Sequence, residues 1–133
     1  YLKKDWRYYS ELSLVYANLI NLGDSLIGDR TKAINNMEIA IEMFPKSKDL
    51  FEADKPLLDL VHVYALIGDI DTSLDLLEEL IVEPSTFNWW NIKYNSFFIK
   101  LFEGNDRFQE IINKDEQKFR NEAVVKNSYY DFY

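Results

Sequence analysis

The sequence contains no cysteine, one histidine, three prolines and four glycines among 133 residues. Without cysteine the chain can form neither a disulfide nor a thiolate metal site, and this composition is typical of a reducing compartment. Because glycine and proline mark turns, their scarcity favours long helices over a turn-rich β-sandwich. Apolar residues, in contrast, are plentiful: 47% of the chain is hydrophobic and 16% is aromatic. That composition is sufficient for the core of one domain.

Basic residues are also scarce, at 15 against 23 acidic residues, and the formal net charge is −8. A negative chain repels phosphate backbones and anionic membrane surfaces, so we expect neither nucleic acid nor a membrane as a partner. No apolar run approaches the ~20 residues that a membrane-spanning helix needs. Because the chain starts at Tyr1 without a methionine, we expect it to be a piece of a longer, cytoplasmic protein.

Two stretches of the sequence, 15–45 and 61–84, share one pattern. Each has an apolar run, a Gly-Asp pair, a second run with helical periodicity and then a proline. The glycines of the two pairs, Gly28 and Gly68, are about 40 residues apart, and a period of this size indicates stacked supersecondary units.

The apolar residues within each unit have the spacing of one helical face. The stripes are Ala33, Met37, Ala40 and Phe44 in the first unit, and Leu57, Leu60, Val61, Tyr64, then Ser73, Leu77, Leu80 and Ile81 in the second. Two amphipathic stripes joined across a glycine predict an antiparallel helical hairpin. We expect Gly28 and Gly68 to end a helix with positive φ, and Asp29 and Asp69 to cap the helix that follows. Pro56 fits the first turn of a helix because no backbone donor is needed there.

The order of tyrosine, glycine, small residue, large apolar residue, small residue and proline resembles the tetratricopeptide repeat. The residues that carry it are Gly28, Ala33, Met37, Ala40 and Pro45 in the first unit, and Leu60, Tyr64, Gly68, Leu77 and Pro84 in the second. Ser73 and Leu80 stand where the family usually has alanine, and the first unit carries an insertion, "GDSLI", at its turn. The resemblance implies an all-α, right-handed array of helical hairpins.

A wider resemblance covers roughly residues 5–112. The segments "DWRYY", "LVYANL", "FPKSKD", "YALIGDIDTSLDLLEEL" and "DRFQEII" are similar to the C-terminal repeat block of certain bacterial multidomain proteins. In those proteins tetratricopeptide repeats follow an adenylate cyclase, a protein kinase or a DNA-binding domain.

The pattern changes after Pro84. We expect residues 1–84 to form two helical hairpins and residues 85–133 to form an aromatic-rich helical cap with a terminal helix, because two hairpins alone are too few for a continuous core. Ser85 or Thr86 can cap a short helix, and Asn105 or Asp106 can cap a last helix. That last helix carries Phe108, Ile111, Ile112 and Phe119. The aromatic residues expected in the core of the cap, with a partner-binding patch as the alternative, are Phe87, Trp89, Trp90, Tyr94, Phe97 and Phe98.

Residues 23–26 read GDSL, the signature of a class of serine esterases, and Asp59 and His62 form the D-x-x-H that such enzymes use as a base. An esterase serine follows a buried β-strand, and a sheet holds its oxyanion donors. Here GDSL follows the helical stripe "VYANLINL" instead. We therefore predict that Ser25 is not catalytic and that the chain is not an enzyme.

Metal and cofactor sites are not expected either. The acidic residues near the second turn, Asp69, Asp71 and Asp75, lack the glycine and the final glutamate of a calcium loop. One histidine without cysteine gives no zinc site. These carboxylates fit the N-terminal end of a helix, where negative charge is favourable.

The resemblance implies a protein–protein interaction module that binds a peptide or a helix in its concave groove. In such arrays the first helix of each hairpin lines the groove, which implies a lining of Ser13, Ala17, Ile20, Lys55, Leu58, His62 and Leu66. Two alternatives remain open at this stage. The protein's own C-terminal helix fills the groove, or the chain is a regulatory or oligomerisation segment of a bacterial signalling protein such as an adenylate cyclase or a kinase.

Overall fold

The computed structural model describes residues 4–24, 28–44, 55–82 and 89–130, with the side chains of 82, 89, 90 and 124–130 excluded. All regular structure in these ranges is helical, which confirms the all-α prediction. The helices are α1 (Trp6–Asn21), α2 (Arg30–Met43), α3 (Lys55–Leu66), α4 (Ile70–Val82), α5 (Trp89–Lys93), α6 (Ser96–Leu101) and α7 (Asp106–Tyr130). The chain divides into two compact units, Tyr1–Thr86 and Phe87–Tyr133.

In the first unit, α1 pairs with α2 and α3 pairs with α4, while α3 also packs against both α1 and α2. The predicted stripe of α2 is the buried one: Ala33, Met37, Ala40 and Phe44 all lie in the core. On α4 the buried residues are Ser73, Leu74, Leu77 and Leu80. Helical periodicity therefore predicted the inward face of α2 and three of the four stripe residues of α4, where Ile81 is half-buried and the buried Leu74 was missed.

The two hairpin turns use the same helix ending. The amide of Gly23 donates to the carbonyl of Ile20 at 2.9 Å, and the amide of Asp24 donates to Leu19 at 2.9 Å. At the end of α3 the amide of Gly68 donates in the same way to the carbonyl of Ala65, three residues back, and the amide of Asp69 donates to that of Tyr64, five residues back. Both glycines have positive φ, 84° and 89°, which completes a Schellman motif at each turn.

The assignment of Gly28 as a helix-ending glycine was wrong, because Gly23 has that role. Gly28 does not have positive φ. Its amide donates to the carbonyl of Asp24 at 3.0 Å, and a β-carbon at this position would overlap that carbonyl and lie 2.9 Å from the side chain of Ile20. Glycine is needed here for close approach rather than for a left-handed backbone.

The capping role of the aspartates is confirmed. Asp29 accepts a hydrogen bond from the amide of Lys32 at 3.1 Å, and Asp69 accepts one from the amide of Thr72 at 3.3 Å. In the second turn, Gly68 ends one helix and the next residue caps the following helix. In the first turn these two roles are separated, with Gly23 at the end of α1 and Asp29 at the start of α2.

Small residues let the helices of each hairpin approach closely. The hydroxyl of Ser13 on α1 donates to the carbonyl of Ala33 on α2. The hydroxyl of Ser73 on α4 donates to the carbonyl of Val61 on α3 at 2.6 Å. Both serines are fully buried, so these bonds satisfy the only polar atom that each side chain brings into the core.

Replacing Gly68 with valine should lower the free energy of unfolding by more than about 1 kcal/mol, because a β-branched residue is strained at positive φ. No atom lies within 4 Å of a β-carbon built at Gly68, so the cost comes from the backbone alone. Thermal and urea unfolding measure it. Gly68→Asn is the matched control and should cost less, because asparagine tolerates this conformation. Equal losses for the two variants would contradict the backbone explanation.

The second unit has its own core. Its α5 packs against α6 and α7, and the rings of Phe102 and Phe108 stack with centroids 4.8 Å apart. The buried residues of this core are Ile92, Phe98, Phe102, Phe108, Ile111 and Ile112. Asn105 caps α7 as predicted, since its side chain accepts a hydrogen bond from the amide of Phe108 at 2.9 Å.

Two expectations for the second unit were wrong, because Tyr94 and Phe97, expected in the core of the cap, are exposed. Phe119 on the last helix is 58% exposed. Of the aromatic residues expected in the core, Phe98 is buried. Phe87 and the side chains of Trp89 and Trp90 lie outside the described residues, as do Pro45, Pro84, Ser85 and Thr86.

Candidate functional site

The residues predicted to line a groove differ widely in their exposure. Ser13, Ala17, Leu58 and Leu66 are buried, Ile20 and His62 are half-buried, and Lys55 is exposed. Buried side chains of this kind fill the space between packed helices and present little surface to a second molecule. Of the predicted set, Lys55, Ile20 and His62 therefore retain accessible surface for a partner.

The burial of Ser13 and Ala17 has a structural cause. Because Ser13 donates its hydroxyl to Ala33, this face of α1 is directed at α2 rather than at an open groove. Ala17, one helical turn later, has no exposed surface. Ser13 and Ala17 therefore lie within the packing of α1 on α2, and partner binding by the predicted groove residues stays a prediction.

A polar contact that the sequence analysis missed joins α1 to α3. The hydroxyl of Ser10 donates to Oδ2 of Asp59 at 2.8 Å. Burial raises the pKa of Asp59, and the Ser10 hydroxyl and the Lys55 ammonium partly oppose this rise. The sequence signal that could have predicted this contact is Asp59 itself, an acidic residue isolated among the apolar residues of α3.

His62 lies one turn after Asp59 on α3. Its Nε2 is shielded from solvent, and burial lowers the pKa of this histidine to about 4. The ring is therefore neutral at physiological pH. Asp59 accepts a hydrogen bond from the hydroxyl of Ser10. The aspartate of the D-x-x-H pattern therefore has a structural role in the contact between α1 and α3.

The esterase signature falls at the end of α1. Ser25 itself lies outside the described residues, but the residue before it, Asp24, donates its amide to the carbonyl of Leu19 within the Schellman ending of α1. A helix, and not a strand, therefore precedes GDSL.

We expect the purified chain to show no serine-dependent ester hydrolysis, because α1 precedes GDSL and the described residues contain no strand that could support an oxyanion hole. The measurement is the hydrolysis of an activated acetate ester by the parent chain and by Ser25→Ala. Equal rates for the two proteins are expected. A rate that falls to background in the variant would show that Ser25 is a nucleophile.

A corner of the first unit combines aromatic and cationic side chains. The ring of Trp6 meets Phe44 edge-to-face with centroids 5.0 Å apart. The Lys55 ammonium lies 5.7 Å from the centre of the Trp6 ring, and the Arg7 guanidinium lies 5.3 Å from it. The start of α1, the end of α2 and the start of α3 therefore meet at this ring. Lys55 and Arg7 are both exposed, and Arg7 also pairs with the Asp5 carboxylate at 3.4 Å. This corner, named here the Trp6 corner, can contact an anion chiefly through Lys55.

The second unit has a small cavity, about 170 Å³, lined by residues that include Lys93, Ile99, Phe102 and Phe108. Sites for small organic ligands usually measure ~300–1,000 Å³, so this cavity is too small for most of them. Among the described residues, no group of three or more His, Asp or Glu side chains is placed to hold a metal ion. No helix in the described ranges is both long enough and apolar enough to cross a membrane.

Comparison with known proteins gives no relative from which a role can be transferred. The chain matches no family profile, no curated protein and no solved structure.

Proposed function

We propose that this chain is a protein-binding module built from tetratricopeptide-like helical hairpins, and that it holds a peptide or a helix of another protein. The Trp6 corner is the observation that carries the proposal. It presents an aromatic ring flanked by two exposed cations, Arg7 and Lys55. Lys55 also belongs to the lining that the family resemblance implies.

The repeated helix endings support the repeat part of the proposal. Two hairpins in one unit end their first helix with a Schellman glycine and begin their second with an aspartate cap. In both hairpins a buried serine hydroxyl bonds to a carbonyl of the facing helix. Repeated units that present equivalent surfaces side by side are suited to binding extended segments.

The chemistry of the Trp6 corner defines the partner segment. Arg7 and Lys55 favour a carboxylate, and the ring of Trp6 favours an apolar or aromatic side chain next to it. Since the chain as a whole carries a charge of −8, a strongly acidic partner is repelled at long range. The best match is a segment of low net charge with one carboxylate beside an apolar residue.

A peptide-display library tests this proposal. We expect selection on the parent chain to enrich peptides that share an acidic residue next to an apolar one. Lys55→Glu should weaken the binding of these peptides by at least about tenfold, because it places a carboxylate next to the carboxylate of the peptide. Lys100→Glu is the matched control, since Lys100 is an exposed lysine of the second unit. Both variants should retain the helical circular dichroism of the parent. No enrichment, or equal binding by both variants, would contradict a peptide site at the Trp6 corner.

A further inference from the structure

The large apolar side chains exposed in the first unit lie on its first hairpin. Among the described residues they are Tyr8, Val15 and Leu22 from α1 and its end, and Ile39 and Met43 from α2. The described residues of α3 and α4 expose none of comparable size. Among the described residues, the most exposed apolar surface of this unit therefore belongs to its first hairpin.

The exposed residues of α1 belong to one continuous stripe. Tyr8, Leu12, Val15, Leu19 and Leu22 are separated by alternating steps of four and three residues, which is the spacing of the apolar seam in paired helices. Val15 is 53% exposed and Leu22 is 79% exposed. Single exposed apolar residues are common, but a seam of five residues along one helix marks a contact surface.

The stripe lies opposite the face of α1 that packs inside the unit. That inner face consists of Ser10, Ser13 and Ala17. α1 thus buries small residues on its inner face, whereas its stripe has three exposed residues and two half-buried ones, Leu12 and Leu19. A helix that only covers one core places its large apolar residues inward. A second helix on the outer face gives the large side chains a packing partner.

The second hairpin shows what occupies such a stripe. When the helix-ending glycines Gly23 and Gly68 are aligned, the stripe of α1 corresponds to Leu57, Leu60, Tyr64 and Ile67 at the end of α3. These four residues are buried or half-buried, and α3 packs against the first hairpin as well as against α4. The equivalent surface of α3 is thus packed against other helices. We therefore expect the stripe of α1 to bind a helix as well.

The charges at the two ends of α1 favour an antiparallel partner helix. Exposed Lys4 and Arg7 lie at its start beside the N-cap Asp5, which pairs with Arg7 at 3.4 Å, and Asp24 follows its end. The start of α1 therefore keeps a small net positive charge, whereas its end is negative. An antiparallel copy of α1 places Lys4 and Arg7 of one chain near the negative C-terminal end and Asp24 of the other.

We propose that the outer face of α1 binds a second copy of this chain, with the two α1 helices antiparallel. A two-fold axis near Val15 lets each stripe pack on the other, since Leu12 and Leu19 lie at nearly equal distances on either side of Val15 along the helix. The apolar stripe does not include Lys55, although Arg7 belongs both to the Trp6 corner and to the end of this contact. Lys55→Glu therefore tests the peptide site, and Val15→Asp tests the dimer, without altering the other surface.

Sedimentation equilibrium across a wide concentration range tests the dimer. The parent chain should associate to a dimer. Val15→Asp and Leu22→Glu should weaken association by at least about tenfold, because each places a charge within an apolar contact. Ile99→Asp is the matched control: Ile99 is 49% exposed but belongs to the second unit. The control should associate like the parent, and circular dichroism should show that all variants remain helical. A parent chain that stays monomeric would overturn the proposal, as would a dimer that all three variants retain or that all three lose.

Disulfide formation tests the position of the axis. The chain has no cysteine of its own, so Val15→Cys introduces one thiol per copy. Under mild oxidation we expect this variant to form a covalent dimer, because residues near a two-fold axis between packed helices approach within disulfide range. Ile99→Cys should remain mostly monomeric. Equal crosslinking of both variants would indicate random collision and would overturn the antiparallel arrangement.

Discussion

Replacing Leu77 with alanine should lower the free energy of unfolding by about 2–5 kcal/mol, the cost typical of removing a leucine side chain from a packed core. Leu77 has no exposed surface and occupies the middle of the buried stripe of α4. The loss combines the transfer energy of the missing methyl groups with the cavity that they leave. Urea unfolding, followed by far-ultraviolet circular dichroism, measures the difference.

Glu79→Ala provides the control on the same helix. Glu79 is exposed, so its replacement should change the free energy of unfolding by no more than about 0.5 kcal/mol. A loss below about 1 kcal/mol for Leu77→Ala would mean that the stripe of α4 does not face the core.

Acidification should destabilise the protein through His62. The pKa of this residue is lowered to about 4 in the folded chain, against 6.5 for an ordinary histidine. The folded state therefore binds a proton less readily than the unfolded state, so the stabilisation is present above pH 6.5 and is lost as the pH falls through 4. By pH 4 the loss amounts to about 3 kcal/mol. The buried Asp59 acts in the opposite sense, because its raised pKa favours the folded state at low pH and this contribution is lost as the pH rises.

Because His62 is the only histidine in the chain, its ring protons give a single assignable titration by nuclear magnetic resonance. We expect a midpoint near pH 4 while the chain remains folded. In His62→Gln, which cannot titrate, stability should fall less steeply between pH 7 and pH 4 than in the parent. A midpoint near 6.5 in the folded protein, or identical slopes for parent and variant, would show that the ring is accessible to water.

The inward faces of α2 and α4 could be predicted from sequence because their physical cause is local. Residues three and four positions apart share a helix face whatever the tertiary structure, so Met37 and Leu77 were recognised as core residues. The aspartate caps were equally accessible, since Asp29 and Asp69 bind amides within their own first turn.

The choice between Gly23 and Gly28 could not be made from local pattern. Each glycine follows an apolar residue and precedes an aspartate. Which of them ends α1 depends on where the backbone turns back toward α2, and this is a tertiary property that a local pattern does not contain. The burial of Ser13 and Ala17 could not be predicted for the same reason, because it results from the packing of α2 on this face of α1.

Phe119 shows a further limit of periodicity. It continues the apolar spacing that Ile112 begins, yet its side chain is mostly exposed, whereas Ile112 is buried. Periodicity identifies the face of a helix but contains no information on how far the opposing elements extend along it. The length of α7 covered by the core therefore had to come from the structure.

The two hairpin turns differ in how they would respond to a change in length. At Gly68 and Asp69 adjacent residues end one helix and start the next, so an inserted residue would separate the two functions and force α3 or α4 to unwind. Between Gly23 and Asp29 these two functions are already separate, but the amide of Gly28 donates to the carbonyl of Asp24, so a longer connection would have to keep these two residues in contact. We therefore expect an insertion to cost less stability in the first turn than between Gly68 and Asp69, because in the first turn it does not separate a helix ending from an adjacent cap.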